Sequence, residues 1–101
     1  MAESASGTRV IDGVLIPAGY AQDTSISTAT SLPSIPAETK LCMIQAEAQD
    51  LRWRDDGIDP TNSVGMLLKA NATMMYNGKA SSFKVIDAAT PGAILNVTYY
   101  K

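Results

Sequence analysis

The chain has 101 residues, of which 46% are hydrophobic and 18% are charged, and its formal net charge is −2. This length predicts a single domain, and the balance of apolar and charged residues argues against an intrinsically disordered protein. Because eight basic residues are outnumbered by ten acidic ones, the chain lacks the cationic charge that holds a phosphate backbone. We therefore expect no direct contact with nucleic acid.

The sequence also argues against membrane association and disulfide chemistry. No run of about eighteen apolar residues is present to span a bilayer, and the opening MAESASGTR does not have the pattern of a signal peptide. We expect a protein that is made in a reducing cytoplasm and has no membrane partner. The single Cys42 lies in the apolar run LCMI, which is typical of a small buried thiol.

The first third of the chain predicts an extended and partly flexible N-terminal arm over residues 1–34. Small polar residues come first, and the run VIDGVLIPAGY follows with side chains that favour β-structure. The stretch after it is rich in Ser and Thr and contains Pro33, which disfavours a helix. The candidate interface residues of the arm are Ile11, Val14, Leu15 and Ile16.

The run KLCMIQAEAQD at residues 40–50 fits two kinds of secondary structure. Its Ala, Gln, Glu, Leu and Met residues favour a helix. A strand would place Cys42, Ile44 and Ala46 together on one face. Because the segments on both sides look extended, a strand is the favoured interpretation.

Four short β-like runs follow: MLLKA, TMMYNGKA, SSFKVIDA and AILNVTYY. Turn signals at Asn77-Gly78 and Pro91-Gly92 separate some of them. In the last run Leu95, Val97 and Tyr99 alternate with more polar residues, which indicates one apolar face. We therefore predict an all-β fold, an antiparallel β-sandwich of the jelly-roll type over residues 35–101.

The densest group of charged and turn-forming residues is RWRDDGIDPTNSVG at residues 52–65. We interpret it as a structural loop in which Trp53 packs on the core, both arginines lie over the loop and Gly57 adopts a positive φ. Arginine and aspartate would pair across the turn. The residues of this prediction are Arg52, Trp53, Arg54, Asp55, Asp56, Gly57, Asp59 and Pro60.

A chemical role for this loop is the weaker interpretation. Asp55, Asp56 and Asp59 could be oxygen ligands of a divalent metal ion, but the distant bidentate Glu of a calcium loop is missing. Acid-base catalysis by the carboxylates would need a partner, and the chain contains no His. We therefore expect no catalytic residues, no metal site and no cofactor.

Two long segments resemble a known group of proteins. They are IPAETKLCMIQAEAQDLRWRDDGIDPTNSVGMLLKA and SSFKVIDAATPGAILNVTYYK. The combination of RWRDDG, PTNSVG and LNVTYY is similar to a pattern in small virion proteins of tailed bacteriophages. The resemblance covers roughly residues 35–101 and implies a β-rich structural protein of the phage particle, with no catalytic residues.

Two functions remain open at this point. The resemblance favours a decoration or cement protein on the capsid surface, which would bind the major capsid protein and assemble as a symmetric dimer or trimer through its arm. The alternative is a module at the tail or fibre that binds a carbohydrate through Trp53, Tyr76 and nearby aspartates.

Overall fold

The structure of the protein is a computed structural model that describes residues 14–101. This part of the chain forms eight strands, β1 to β8, and one short 3₁₀ turn at Ala80–Ser82. The strands are β1 (Pro17–Asp23), β2 (Thr30–Ser31), β3 (Leu41–Glu47), β4 (Leu51–Arg54), β5 (Met66–Leu68), β6 (Thr73–Tyr76), β7 (Lys84–Asp87) and β8 (Ile94–Tyr100).

The strands form two antiparallel sheets of four strands each. The first sheet has the order β1-β8-β3-β6, and the second has the order β2-β7-β4-β5. Side chains from both sheets meet in one hydrophobic core. The prediction of an all-β protein is therefore confirmed.

The ambiguous run at residues 40–50 contains strand β3, so the strand interpretation is confirmed. Cys42, Ile44 and Ala46 are buried, while the residues between them face outward. Strand β8 repeats this alternation. These two strands pair along their whole length at the centre of the first sheet, because each presents an apolar row to the core.

The described part of the predicted arm contributes to both sheets. Strand β1 pairs with β8, and β2 pairs with β7. Ile26 and Leu32 lie in the hydrophobic core. Ile16 extends the first sheet through two backbone hydrogen bonds with Lys101, so the chain from Ile16 onward is part of the folded domain. The candidate interface residue Ile11 lies outside the described residues.

Three aromatic side chains connect the two sheets at one end of the core. Trp53 of β4 stacks on Phe83 with their ring centroids 4.8 Å apart, and Tyr76 of β6 meets Phe83 edge to face at 4.8 Å. The turn at Asn77 and Gly78 does not close a hairpin, because β6 and β7 belong to different sheets. It carries the chain from one sheet to the other.

Candidate functional site

The segment after β4 folds back over the outer face of the second sheet. Arg52 faces outward from β4 and donates hydrogen bonds from Nη1 to the carbonyl of Gly65 at 2.8 Å and from Nε to the carbonyl of Asn62 at 3.3 Å. A charged donor to two backbone carbonyls fixes their position. We call residues 55–65 the covering loop.

A second attachment of the covering loop lies at the end of β7. Asn62 donates from Nδ2 to the carbonyl oxygens of Asp87 at 2.8 Å and Ala88 at 3.3 Å. Between these attachments lies Ile86, which pairs with Arg52 in the sheet and therefore points away from the core. Ile86 is nevertheless only 7% exposed. Because the covering loop is attached to Arg52 of β4 and to the end of β7, the strand that carries Ile86, we attribute the burial of Ile86 to this loop.

The charged side chains of the loop pair with one another and with neighbouring groups. Arg54 donates to Asp56 from Nε at 3.0 Å and also from Nη2, and this bidentate hydrogen bond lowers the pKa of the Asp56 carboxyl. Asp55 accepts a hydrogen bond from the Tyr76 hydroxyl at 2.9 Å. Asp59 lies 3.4 Å from the ammonium group of Lys84.

The backbone of the loop requires two of its glycines. Gly57 has a φ of +84° and Gly65 a φ of +142°, conformations that other residues adopt only with strain. A Cβ atom on Gly65 would also lie 3.1 Å from the carbonyl oxygen of Trp53 and 3.3 Å from Cβ of Pro60. The side chain of Pro60 is buried, so this corner of the loop is closely packed.

The aspartates of the loop do not converge on a common point. Within residues 14–101, no group of three or more Cys, Asp or Glu side chains is placed to hold a metal ion. Asp55 and Asp56 instead use their oxygens for Tyr76 and Arg54. These hydrogen bonds stabilise the bend in the chain, which is a structural role.

Trp53 and Tyr76 do not form an exposed platform for a sugar. Tyr76 is buried, and Trp53 packs against the core, where it stacks on Phe83 and meets the edge of the Tyr76 ring. Burial raises the pKa of Tyr76 to about 12, and the hydrogen bond to Asp55 acts in the same direction. These two rings therefore stabilise the interior, and a carbohydrate module would need a different surface.

The described interface residues of the arm lie at one end of the first sheet. Val14 is 62% exposed and Ile16 is 59% exposed, while Leu15 is partly buried. Val14 and Ile16 border an open depression of about 610 Å³ whose other lining residues are Glu38, Thr39, Lys40 and Lys101. Two apolar side chains thus remain in water where the N-terminal segment joins the sheet.

The outer face of the first sheet carries a feature that the sequence reasoning missed. Gln22, Asn96, Gln45 and Thr73 lie in one row across the four strands of this sheet. They are far apart in the chain, so no local motif reveals them. The only available signal was the alternation within each strand, which marked the outward positions without showing which of them meet.

None of the described helical segments is long and apolar enough to cross a membrane. The comparisons with known proteins add no relative: no family model matches the chain, and neither the curated proteins nor the solved structures include a match.

Proposed function

We propose that this chain is a structural protein of a tailed-phage particle and that it decorates the capsid surface. Its partners would be the major capsid protein and further copies of itself in a symmetric dimer or trimer. In this proposal the two sheets form a β-sandwich of the jelly-roll type, and the extended arm comprises the residues before Ile16, which anchors it to the first sheet. The protein acts through protein–protein contacts and has no catalytic role.

The observation that carries this proposal is the exposed apolar segment at the end of the first sheet. Single exposed apolar residues are common on protein surfaces, but Val14 and Ile16 lie two positions apart and border the same depression. Ile16 is fixed to Lys101 by backbone hydrogen bonds of 2.7 and 2.9 Å. A segment held at its base and apolar beyond it suits insertion against another subunit.

The remainder of the domain suits a passive scaffold. The covering loop is tied to both β4 and β7 by hydrogen bonds from Arg52 and Asn62, and the core of both sheets is continuous. A rigid domain with an exposed apolar segment makes only weak contacts by itself. Several such contacts act together when the copies form a symmetric oligomer on the shell, so the overall binding is strong.

The copy number in the particle tests the proposal. We would purify the phage whose genome encodes this chain and measure the ratio of this protein to the major capsid protein by quantitative mass spectrometry. A decoration protein is expected in numbers comparable with the capsid subunits. Absence from the particle, or only the few copies that a tail holds, would contradict the proposal.

A truncation tests the part played by the arm. Deleting residues 1–13 and replacing Val14 and Ile16 by Ser should leave the sheets folded and abolish binding to particles that lack the protein. Deleting residues as far as 33 is unsuitable, because it removes β1 and the buried Ile26 and Leu32. The matched control replaces Ile58 and Val64, which are equally apolar and exposed on the covering loop. This control should bind normally, and equal losses in both variants would refute the assignment of the arm.

A further inference from the structure

The outer face of the first sheet combines a polar row with a more apolar one. The amide row consists of Gln22, Asn96, Gln45 and Thr73, and the neighbouring row consists of Tyr20, Thr98, Met43 and Met75. Residues on the same face of a strand are about 7 Å apart, and neighbouring strands are about 4.8 Å apart. Both rows are therefore within reach of one small ring-shaped ligand.

Asn96 is the centre of a hydrogen-bond network on this face. Its Oδ1 accepts hydrogen bonds from the Tyr20 hydroxyl at 2.7 Å and from Gln22 Nε2 at 2.9 Å. Its Nδ2 donates to Glu47 Oε1 at 2.8 Å and to Gln45 Oε1 at 3.2 Å. Both ends of this amide are thus fully used, and the carboxylate of Glu47, which only accepts, fixes which end is nitrogen.

The network orients its outer members and leaves part of their hydrogen-bonding capacity unused. Among the described residues, the Gln45 amide nitrogen and the Gln22 carbonyl oxygen have no protein partner within hydrogen-bond distance. Tyr20 is held by its hydroxyl, yet the residue is 63% exposed. Side chains that are already oriented lose less conformational entropy when a ligand binds.

We propose that this face binds a neutral saccharide. Sugar hydroxyl groups donate and accept hydrogen bonds, which matches a surface that offers both free amide nitrogen and free amide oxygen. The apolar C–H face of a sugar ring would pack on the Tyr20 ring and the Met43 side chain. Among residues 14–101, no Lys or Arg lines the depression and Glu47 is its one charged residue, so the lining disfavours anionic ligands.

The size of the depression fits a small ligand. Its volume is about 260 Å³, whereas sites for drug-sized molecules typically measure about 300 to 1,000 Å³. It is shallow and lies across β1, β8, β3 and β6, so one or two rings of a longer chain could lie on it. For a single sugar we expect weak binding, with a Kd on the order of 1 mM, because few atoms are buried. The inference does not depend on the position of the protein in a particle.

The experiment follows the side-chain amide resonances of the isotope-labelled full chain by NMR while saccharides are added. The probes are glucose, galactose, mannose, N-acetylglucosamine and a purified bacterial O-polysaccharide. We expect at least one of them to produce saturable shifts at Gln22, Gln45 and Asn96. If none of these probes binds, or if the shifts map to other residues, the proposal is wrong.

Variants separate binding from folding. Tyr20→Ala and Gln45→Ala should each lower the affinity on the order of tenfold, while Tyr20→Phe, which keeps the ring, should lose less. Gln49→Ala is the matched amide control, since Gln49 lies in the turn after β3 and should bind as the unchanged chain does. Circular dichroism confirms that each variant is folded.

A second copy of this chain is the competing occupant. In that case the face would be covered by self-association, which sedimentation analysis detects as a dimer that Tyr20→Ala and Met43→Ser dissociate. A dimer through this face, together with no shift from any saccharide, would overturn the proposal. Affinities that are equal in Tyr20→Ala, Gln45→Ala and Gln49→Ala would overturn it as well.

Discussion

The outer faces of the two sheets differ at their central strands, although Leu67 on the edge strand β5 of the second sheet is itself 45% exposed. The second sheet is crossed by the covering loop, and Ile86 on its outer side is only 7% exposed. The first sheet leaves its outer face in water, including Met43 at 38% exposure on a central strand. The covering loop, which is rich in charged residues, therefore shields part of the second sheet. The amide row of the first sheet, whose residues are far apart in the sequence, stays accessible to a ligand.

The largest expected difference between the faces comes from truncating one outward side chain on each. Ile86→Ala removes a buried side chain beneath the covering loop and should lower the free energy of unfolding by about 2 kcal/mol or more. Met43→Ala, on a central strand of the first sheet, should change it by no more than about 0.5 kcal/mol. Denaturant unfolding measures both values, and similar losses would mean that the loop does not seal the second sheet.

The two arginines of the loop should differ in the same assay. Arg52→Ala removes hydrogen bonds from a charged group to two backbone carbonyls and should cost about 1.5 to 3 kcal/mol. Arg54→Ala removes an exposed pair with Asp56, and such pairs contribute little because water and salt screen them. We expect no measurable change for Arg54→Ala. A larger effect there than at Arg52 would show that the ion pair, and not the tie across the sheet, holds the loop.

One asparagine on each face allows a comparison with identical chemistry. Asn62→Ala frees the end of the covering loop from the carbonyls of Asp87 and Ala88, and should cost about 1 kcal/mol or more. Asn96→Ala breaks more hydrogen bonds, but its partners remain accessible to water, so the loss should be smaller. Thermal unfolding of the two variants measures which one loses more stability. A larger loss in Asn96→Ala would show that the amide row stabilises the fold and is not kept for binding.

The smallest effect on stability at neutral pH is expected from ionisation of the buried tyrosines, because these hydroxyl groups lose their protons only at alkaline pH. Burial raises the pKa of Tyr76 to about 12 and also raises that of Tyr99, above the value of about 10 in an unfolded chain. A raised pKa means that the folded protein holds the hydroxyl proton more tightly than the unfolded chain does. The contribution of the two tyrosines to the free energy of unfolding is therefore complete below pH 10 and is lost as the pH rises through about 12.

Tyrosinate absorbance and circular dichroism recorded together test this prediction. The part of the absorbance change that comes from Tyr76 and Tyr99 should coincide with the loss of the circular dichroism signal, because ionisation of these two residues requires opening of the core. Tyr76→Phe should move the unfolding step to higher pH. Ionisation of every tyrosine near pH 10 with the fold intact would show that neither hydroxyl is buried.

The sequence predicted the buried faces of the strands, which follow from periodicity. It did not predict the side-chain contacts between strands, which depend on register. Alternation in β3 and β8 identified their buried faces, because one side of each strand meets the core. The turn residues of the covering loop were recognised from their chemistry, and Gly57 does have a positive φ.

The long-range contacts could not be predicted. Gln22 meets Asn96 across 74 positions and Asn96 meets Gln45 across 51 positions, and their pairing depends on the order β1-β8-β3. In the same way, nothing local in TNSVG indicates that Asn62 binds the carbonyls at the end of β7. Composition also suggested an arm as far as residue 34, because β1 has no regular alternation of buried and exposed residues and β2 has only two residues.

Thiol labelling tests most directly whether one outer face is covered and the other open. Single Cys replacements at Ile86 and at Met43 would be reacted with a water-soluble thiol reagent, with the native Cys42, which is buried, as the internal standard for protection. We predict that the thiol at position 43 reacts as rapidly as one in the unfolded chain, and that the thiol at position 86 reacts only when the protein opens. Rapid reaction at both positions in the folded protein would contradict the account.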